Sequence, residues 1–159
     1  NLGAFKSIFP LLDTTNHEEM LRRLLDASVR SDNPVIRFAA FMSGLQDKKQ
    51  VTAFCEWLRV PNAYRDLAVL SIAFEKAVYQ DAKVIVSALE RVDAFRKPER
   101  FLALLTVCEA RTIVQDSWQA ALQACNTVNI QALLAAGYQG EAMKKALHNN
   151  RVAAVQAIL

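Results

Sequence analysis

Short polar segments that favour helix starts recur along the chain, and apolar residues at helical spacing follow each of them. Asn33-Pro34 places a capping side chain ahead of proline at the first helical position. Asp47 and Asp81 each precede a run with apolar residues three or four positions apart. Glycine and proline number only four each, too few for a β-rich fold with many tight turns. The sequence therefore predicts an all-α fold, a bundle-like array of about ten short helices without a sheet.

The first half of the chain is expected to start with a short helix and a capping box. The first helix is predicted at Phe5–Leu12, and the second follows a capping box formed by Thr15 with Glu18 or by Asn16 with Glu19. Three more helices are predicted at Pro34–Gly44, after Asp47, and from Tyr64 to about Val78. In the helix after the capping box, the apolar spacing predicts a buried stripe of Met20, Leu21, Leu24, Leu25 and Val29.

The second half continues the same pattern. Helices are predicted after Asp81, from Pro98, from Asp116 or Ser117 to Ala124, at Asn129–Ala136, and as a final pair between Gly140 and Leu159. Residues 83–86 are rich in β-branched side chains, which are frequent in strands. Because this run follows the Asp81 cap and precedes Leu89 at helical spacing, we interpret it as helix.

Charge and cysteine content narrow the functional classes. Nineteen Lys and Arg against sixteen Asp and Glu give a net charge of +3, which suits contact with nucleic acid without requiring it. Cys55, Cys108 and Cys125 form neither a disulfide framework nor a C-x-x-C zinc pair, so reduced core thiols are expected. No apolar run reaches the roughly 18 residues of a membrane span. We expect a soluble cytoplasmic protein, and the abrupt chain ends indicate a fragment.

Residues for catalysis are scarce. His17 and His148 are the only histidines, too few for a histidine-rich metal site and too far apart for a histidine-based nucleophile triad. No glycine-rich phosphate loop occurs. Glu90 and Asp93 share a helical face, but Arg96 and Arg91 lie nearby, which favours a solvated ion-pair network over acid–base chemistry. No catalytic residue and no metal ligand is predicted.

Basic residues give a stronger functional indication. Two clusters lie at helix starts or on one helical face, and they comprise Arg96, Lys97 and Arg100 around Pro98, and Lys144, Lys145 and Arg151 near the end of the chain. Such positions favour phosphate, because helix N-termini present free N–H groups. The alternative interpretation is a solvated face with local ion pairs, such as Glu99 with Arg96.

Four segments, in order, resemble one family. Leu58–Leu70 is similar to the "RLRVPNxxRDLALL" stretch of bacterial CCA-adding tRNA nucleotidyltransferases, and Asp93–Phe101 to their "DAWRKPERF". Ala136–Met143 with Arg151–Val155 resembles the closing "AGxKGxEI…RxAAV", and Gly3–Asp13 resembles "GAL…FPELD". These matches span almost the whole chain.

The resemblance implies a place in a larger enzyme. The family adds C, C and A to tRNA 3′ ends, using CTP and ATP with magnesium. The G-S loop and D-x-D pair of its catalytic head, and the motifs of its neck, are not recognisable here. The resemblance therefore implies a non-catalytic C-terminal region without a cofactor of its own. This region would hold tRNA by backbone contacts, through the six basic residues named above.

The resemblance also implies a degenerate HD phosphohydrolase subdomain. Where the family has "RFAALxHDLGK", residues 37–47 place Ser43 and Gly44 at the positions of His and Asp. Without these ligands a two-metal site cannot assemble. We expect residues 1–80 to form this HD-like part and 81–159 the body and tail. The alternatives are a helical interaction or dimerisation module without an RNA role, which would allow a homodimer, and, less favoured, an active phosphohydrolase.

Overall fold

The computed structural model describes residues 17–75, 79, 81–108 and 112–159. Within these ranges the chain has helices and no strand, which confirms the all-α prediction. The nine helices there are α1 His17–Arg30, α2 Pro34–Ser43, α3 Lys48–Trp57, α4 Asn62–Phe74, α5 Ala82–Arg91, α6 Pro98–Val107, α7 Thr112–Asn126, α8 Ile130–Ala135 and α9 Gly140–Gln156. The helix predicted at Phe5–Leu12, the caps at Thr15 and Asn16, and the predicted helix end at Val78 lie outside the described residues.

Side-chain caps start four of the helices. The sequence predicts three of them, at Asn33, Asp47 and Asp81, and does not predict the cap at Asn129. Asn33 accepts from the Val35 N–H at 2.9 Å, and Asp47 accepts from the Lys49 N–H at 2.8 Å. Asp81 caps α5 and Asn129 caps α8 in the same way. Each cap satisfies N–H groups that have no partner within the helix. Because α5 spans residues 82–91, the interpretation of residues 83–86 as helix is confirmed.

The described chain forms two compact units, which are not contiguous in sequence. One contains residues 17–75 and 99–108, and the other contains 79, 81–98 and 112–159. In the first unit α2 packs against α1 and α4, and α3 packs against α4. Helix α6 contributes the buried Phe101, whose ring meets Phe74 edge to face at a centroid distance of 5.8 Å.

The buried face of α1 differs from the prediction. Met20, Arg23 and Ala27 are buried, whereas Leu21, Leu25 and Val29 are 49%, 66% and 90% exposed. A helix with apolar residues on two neighbouring faces can bury either of them, and here the face that carries Arg23 is buried. Gly44 permits the close approach of this face, because a Cβ at that position would lie 2.7 Å from the Met20 Cα.

In the second unit, α9 packs against α5, α7 and α8, and α5 packs against α7. Ile85, Leu89, Trp118 and Val155 are buried there. Trp118 meets the Tyr79 ring edge to face at 5.2 Å between centroids. The core of this unit is therefore built from buried apolar residues of α5 and α7, with Val155 from α9.

Two helix assignments in the second half of the sequence-based prediction are wrong. Helix α7 begins at Thr112, four residues before the predicted cap at Asp116, and it ends at Asn126 rather than Ala124. Residues 140–156 form one helix instead of a pair. The polar side chain of Asn150 does not break it, because its Nδ2 donates to the Ala146 carbonyl at 2.8 Å.

Three helices end on a residue with positive φ. At the end of α8, Gly137 has φ +85°, and its N–H donates to Leu134 while the next N–H donates to Leu133. Arg59 after α3 and Asp93 after α5 adopt the same conformation with φ of 54° and 57°. Such ends turn the chain sharply and satisfy the last carbonyls of the helix. The turn at Asp93 leads directly to Phe95 and Arg96.

Candidate nucleic-acid interface

A cluster of charged and aromatic side chains in the second unit centres on Arg151 of α9. Its Nη1 donates to Glu90 Oε1 at 3.1 Å, and Glu90 Oε2 lies 2.9 Å from His148 Nδ1. The guanidinium carbon lies 3.6 Å from the Phe95 ring centroid, within the range of a cation–π interaction. The Arg151 side chain is 13% exposed. The cluster therefore ties α9 to α5 and to the turn that follows α5.

A pocket of about 300 Å³ lies beside this cluster. Its lining consists of Glu90, Asp93, Phe95, Arg96, Lys144, Leu147 and Arg151. The side chains of Arg96 and Lys144 are 81% and 75% exposed, so a ligand in solvent can reach both.

Each of these two exposed cations has a carboxylate beside it. Arg96 Nε lies 3.8 Å from Asp93 Oδ1, and Lys144 Nζ donates to Glu141 Oε1 at 2.5 Å. The hydrogen bond to Glu141 raises the pKa of Lys144, so the ammonium stays charged at neutral pH. Exposed pairs of this kind are screened by solvent and contribute little to stability, so a phosphate can replace the carboxylate at little cost.

The six predicted RNA-binding residues fall into different places. Three of them, Arg96, Lys144 and Arg151, line the one pocket. Lys97 and Lys145 are exposed but do not line it. Arg100 is half-buried and belongs to the first unit.

The sequence did not identify Phe95 and Leu147 as pocket residues. The predicted ion-pair partners of Glu90 were also wrong. Glu90 was expected to pair locally with Arg91 or Arg96, but it binds His148 and Arg151 of α9. A signal was present, since His148 and Arg151 are three residues apart and share a helical face. The expected pairing of Asp93 with Arg96 is confirmed.

The segment that resembles the HD pattern contains a second arginine cluster, in the first unit. Ser43 is fully buried, and its Oγ accepts from Arg23 Nη1 at 3.0 Å. Arg23 also donates to Glu19 Oε1 at 2.6 Å and to Glu75. Burial opposes the charge on Arg23, but the hydrogen bonds to Glu75 and Glu19 outweigh it and raise the pKa of Arg23. A guanidinium with three partners therefore occupies the position next to Ser43.

The described side chains offer little for binding a metal ion or for nucleophilic catalysis. No group of three or more His, Cys, Asp or Glu is placed there to hold a metal ion. Burial raises the pKa of Cys108 and of Cys55, and it raises the pKa of Cys125 to about 11, so these thiols stay protonated at neutral pH. Cys55 and Cys125 are buried in the core, as predicted.

No helix in the described ranges combines the length and apolarity that a bilayer crossing would need.

Comparison with known proteins gives relatives named multifunctional CCA protein. The chain is 33% identical to a multifunctional CCA protein of Legionella pneumophila, over 93% of this chain and 43% of that protein. Similar proteins of the same name occur in Thioalkalivibrio sulfidiphilus, at 32% identity over 94% of the chain, and in Pseudoalteromonas atlantica, at 33% over 92%. The chain spans less than half the length of these relatives. No family model matches it, and no solved structure does.

Similarity at this level extends along almost the whole chain, and it agrees with the four segments that resemble CCA-adding enzymes. Over this matched region, the chain is homologous to the multifunctional CCA proteins.

Proposed function

We propose that the chain is the C-terminal, tRNA-binding region of a CCA-adding tRNA nucleotidyltransferase, and that its second unit holds the RNA backbone. The observation that carries this proposal is the convergence of Arg96, Lys144 and Arg151 on one pocket, in a chain with CCA-protein relatives. Catalysis would reside in a head outside this chain, with magnesium, CTP and ATP. The protein would act in the cytoplasm.

The exposed cations are the best candidates for phosphate contacts. Arg96, Lys97, Lys144 and Lys145 are all exposed, and lysine and arginine side chains on such surfaces bind phosphate in a sequence-independent way. Arg100 and Arg151 are half-buried and would contribute less. The helix N-terminus at Gly140 adds to the positive potential near Lys144.

The first unit would act as scaffold in this proposal. Ser43 and Gly44 replace the His-Asp pair of the HD pattern, and Arg23 bonds to Ser43. A guanidinium beside that position repels a divalent cation. We therefore propose a degenerate HD subdomain that retains the helical framework and has lost the hydrolytic site.

The test is a binding titration of tRNA with the 159-residue chain at several salt concentrations. Each neutralised phosphate contributes a slope of about −0.9 to the dependence of log K on log salt. Four contacts predict an affinity loss of roughly 10²-fold between about 50 and 200 mM salt. The Lys144→Ala/Lys145→Ala variant should reduce the slope by about 2 units.

A matched control is the Lys48→Ala/Lys49→Ala variant, which removes two exposed lysines from the first unit. It should leave affinity and slope unchanged. If both double variants behave alike, the binding is a general effect of net charge and the proposed interface is wrong.

Exposed apolar side chains favour a second candidate function, a helical interaction or dimerisation module. Leu21, Leu25 and Val29 form an exposed stripe along α1. An apolar interface of this kind depends little on salt, in contrast to phosphate binding. Analytical sedimentation of the wild type and of a Leu25→Glu variant tests this candidate. It would be favoured if the wild type forms oligomers, the variant does not, and the chain does not bind tRNA.

A further inference from the structure

The pocket of the second unit has a balanced set of charges rather than an excess of positive charge. Three of its lining residues are cations and two, Glu90 and Asp93, are carboxylates. Outside the lining, Glu141 neutralises Lys144. A phosphate offers only acceptors and carries negative charge, so the two carboxylates oppose its entry into the pocket. The two carboxylates therefore make the inside of the pocket less suitable for a phosphate than the exposed side chains of Arg96 and Lys144.

Phe95 and Leu147 contribute the apolar part of the lining, and the Arg151 guanidinium carbon lies over the Phe95 ring, 3.6 Å from its centroid. Nucleobases stack on aromatic rings and on guanidinium planes. Their edges present both donors and acceptors, which match carboxylates and cations together. A volume of about 300 Å³ is at the lower end of small-molecule sites.

We infer that this pocket takes one unpaired nucleobase of the bound RNA, which inserts beside Phe95 and Leu147 while Arg96 and Lys144 hold the flanking phosphates. The inference rests on the proposed function and deepens it, because it adds a contact with a base to the contacts with the RNA phosphates. Asp93 and Glu90 accept from donors on the base edge. The protein therefore distinguishes single-stranded from fully paired RNA at this point.

The experiment compares three RNA probes with the 159-residue chain at one salt concentration. They are a short single-stranded RNA, an oligomer of the same length with abasic ribose at every position, and a blunt duplex of the same sequence. The single strand should bind about 10-fold more tightly than the abasic oligomer, since a stacked base adds roughly this much. The duplex should show no such gain over the abasic oligomer.

Two variants test the pocket itself. Leu147→Trp fills it, and Phe95→Leu removes the aromatic ring while keeping an apolar side chain. Both should abolish the difference between the single strand and the abasic oligomer without changing the salt slope. The matched control is Leu134→Trp, at an exposed leucine of α8 that does not line the pocket. Circular dichroism of each variant checks that the helices are retained.

The outcomes separate this inference from the proposed function. Equal affinity of the wild type for the single strand and the abasic oligomer would overturn the inference, while a reduced slope for Lys144→Ala/Lys145→Ala would leave the proposed function standing. A reduced salt slope for Leu147→Trp would mean that the pocket holds a phosphate, which also overturns the inference. Absence of binding to every RNA overturns both.

Discussion

Each compact unit contains an arginine paired with a glutamate, and the two arginines have different surroundings. Arg23 in the first unit has Glu19, Glu75 and Ser43 as partners. Arg151 in the second unit has Glu90 and the Phe95 ring, and its Nε has no hydrogen-bond partner among the described residues. Exposed cations and a pocket lie beside Arg151. A paired, buried arginine holds helices together, whereas the cations beside it remain accessible to a ligand.

The comparison predicts the largest effect for Arg23→Met. This change leaves the Glu75 carboxylate without its Arg23 partner and removes one of the two hydrogen bonds of the buried Ser43 hydroxyl, and breaking a buried pair costs about 3–5 kcal/mol. Urea unfolding should show this loss in the free energy of unfolding. The double variant Arg23→Met/Glu75→Leu should recover part of it, because it removes the unpaired charge as well. A loss below about 1 kcal/mol would mean that the pair is solvated and does not organise the first unit.

A smaller loss is expected for Arg151→Ala in the second unit. The variant removes one charged hydrogen bond and one cation–π contact, together worth about 1–3 kcal/mol. Arg151→Lys should restore little, because lysine lacks the planar group that stacks on Phe95. Two quantities are measured for each variant, the free energy of unfolding and the slope of log K against log salt for tRNA binding. If Arg151→Ala reduces the salt slope as Lys144→Ala does and leaves stability unchanged, Arg151 is a phosphate ligand rather than a structural residue.

The sequence predicts local features of this protein better than it predicts which charges are buried. The caps at Asn33, Asp47 and Asp81 depend on neighbouring residues only, and all three are confirmed. The inward position of Arg23 depends on partners 20 and 52 residues away in the chain. A single sequence does not reveal such distant pairs. For the same reason, the exposed position of Leu25 could not be predicted from apolar spacing alone.

The same limit applies to the candidate interface. Arg96, Lys144 and Arg151 could be selected from charge and from the resemblance, but their convergence on one pocket required the packing of α9 against α5. Phe95 and Leu147 carry no sequence signal for a ligand, because single apolar residues are usually part of a core.

Acid should weaken the Arg23 cluster of the first unit through Glu19. Hydrogen bonds from Arg22 and then Arg23 lower the pKa of Glu19 from 4.5 to about 2. The stabilisation is therefore complete above pH 4.5 and is lost as the pH falls from 4.5 to about 2. Glu19 is partly exposed, so solvent screening limits the effect to on the order of 1 kcal/mol. Urea unfolding of wild type and Glu19→Gln at a series of pH values should show converging stabilities in this range. Parallel curves would contradict the assignment.

The smallest effect concerns Arg59 and Asp93, two of the three residues other than glycine that have positive φ in the described part of the chain. Arg59 ends a helix of the first unit and Asp93 ends one of the second, with φ of 54° and 57°. Arg59→Gly should relieve about 1–2 kcal/mol of steric strain in the folded state. Because glycine has greater conformational freedom in the unfolded chain, the net increase in the free energy of unfolding should be only about 0.5 kcal/mol. Asp93→Gly should give a gain near zero, because aspartate tolerates this conformation better than arginine and the variant also loses the contact with Arg96. Thermal unfolding of the two variants checks the order. A larger gain for Asp93→Gly would show that the carboxylate destabilises the turn, and that position 93 is retained for ligand binding rather than for the fold.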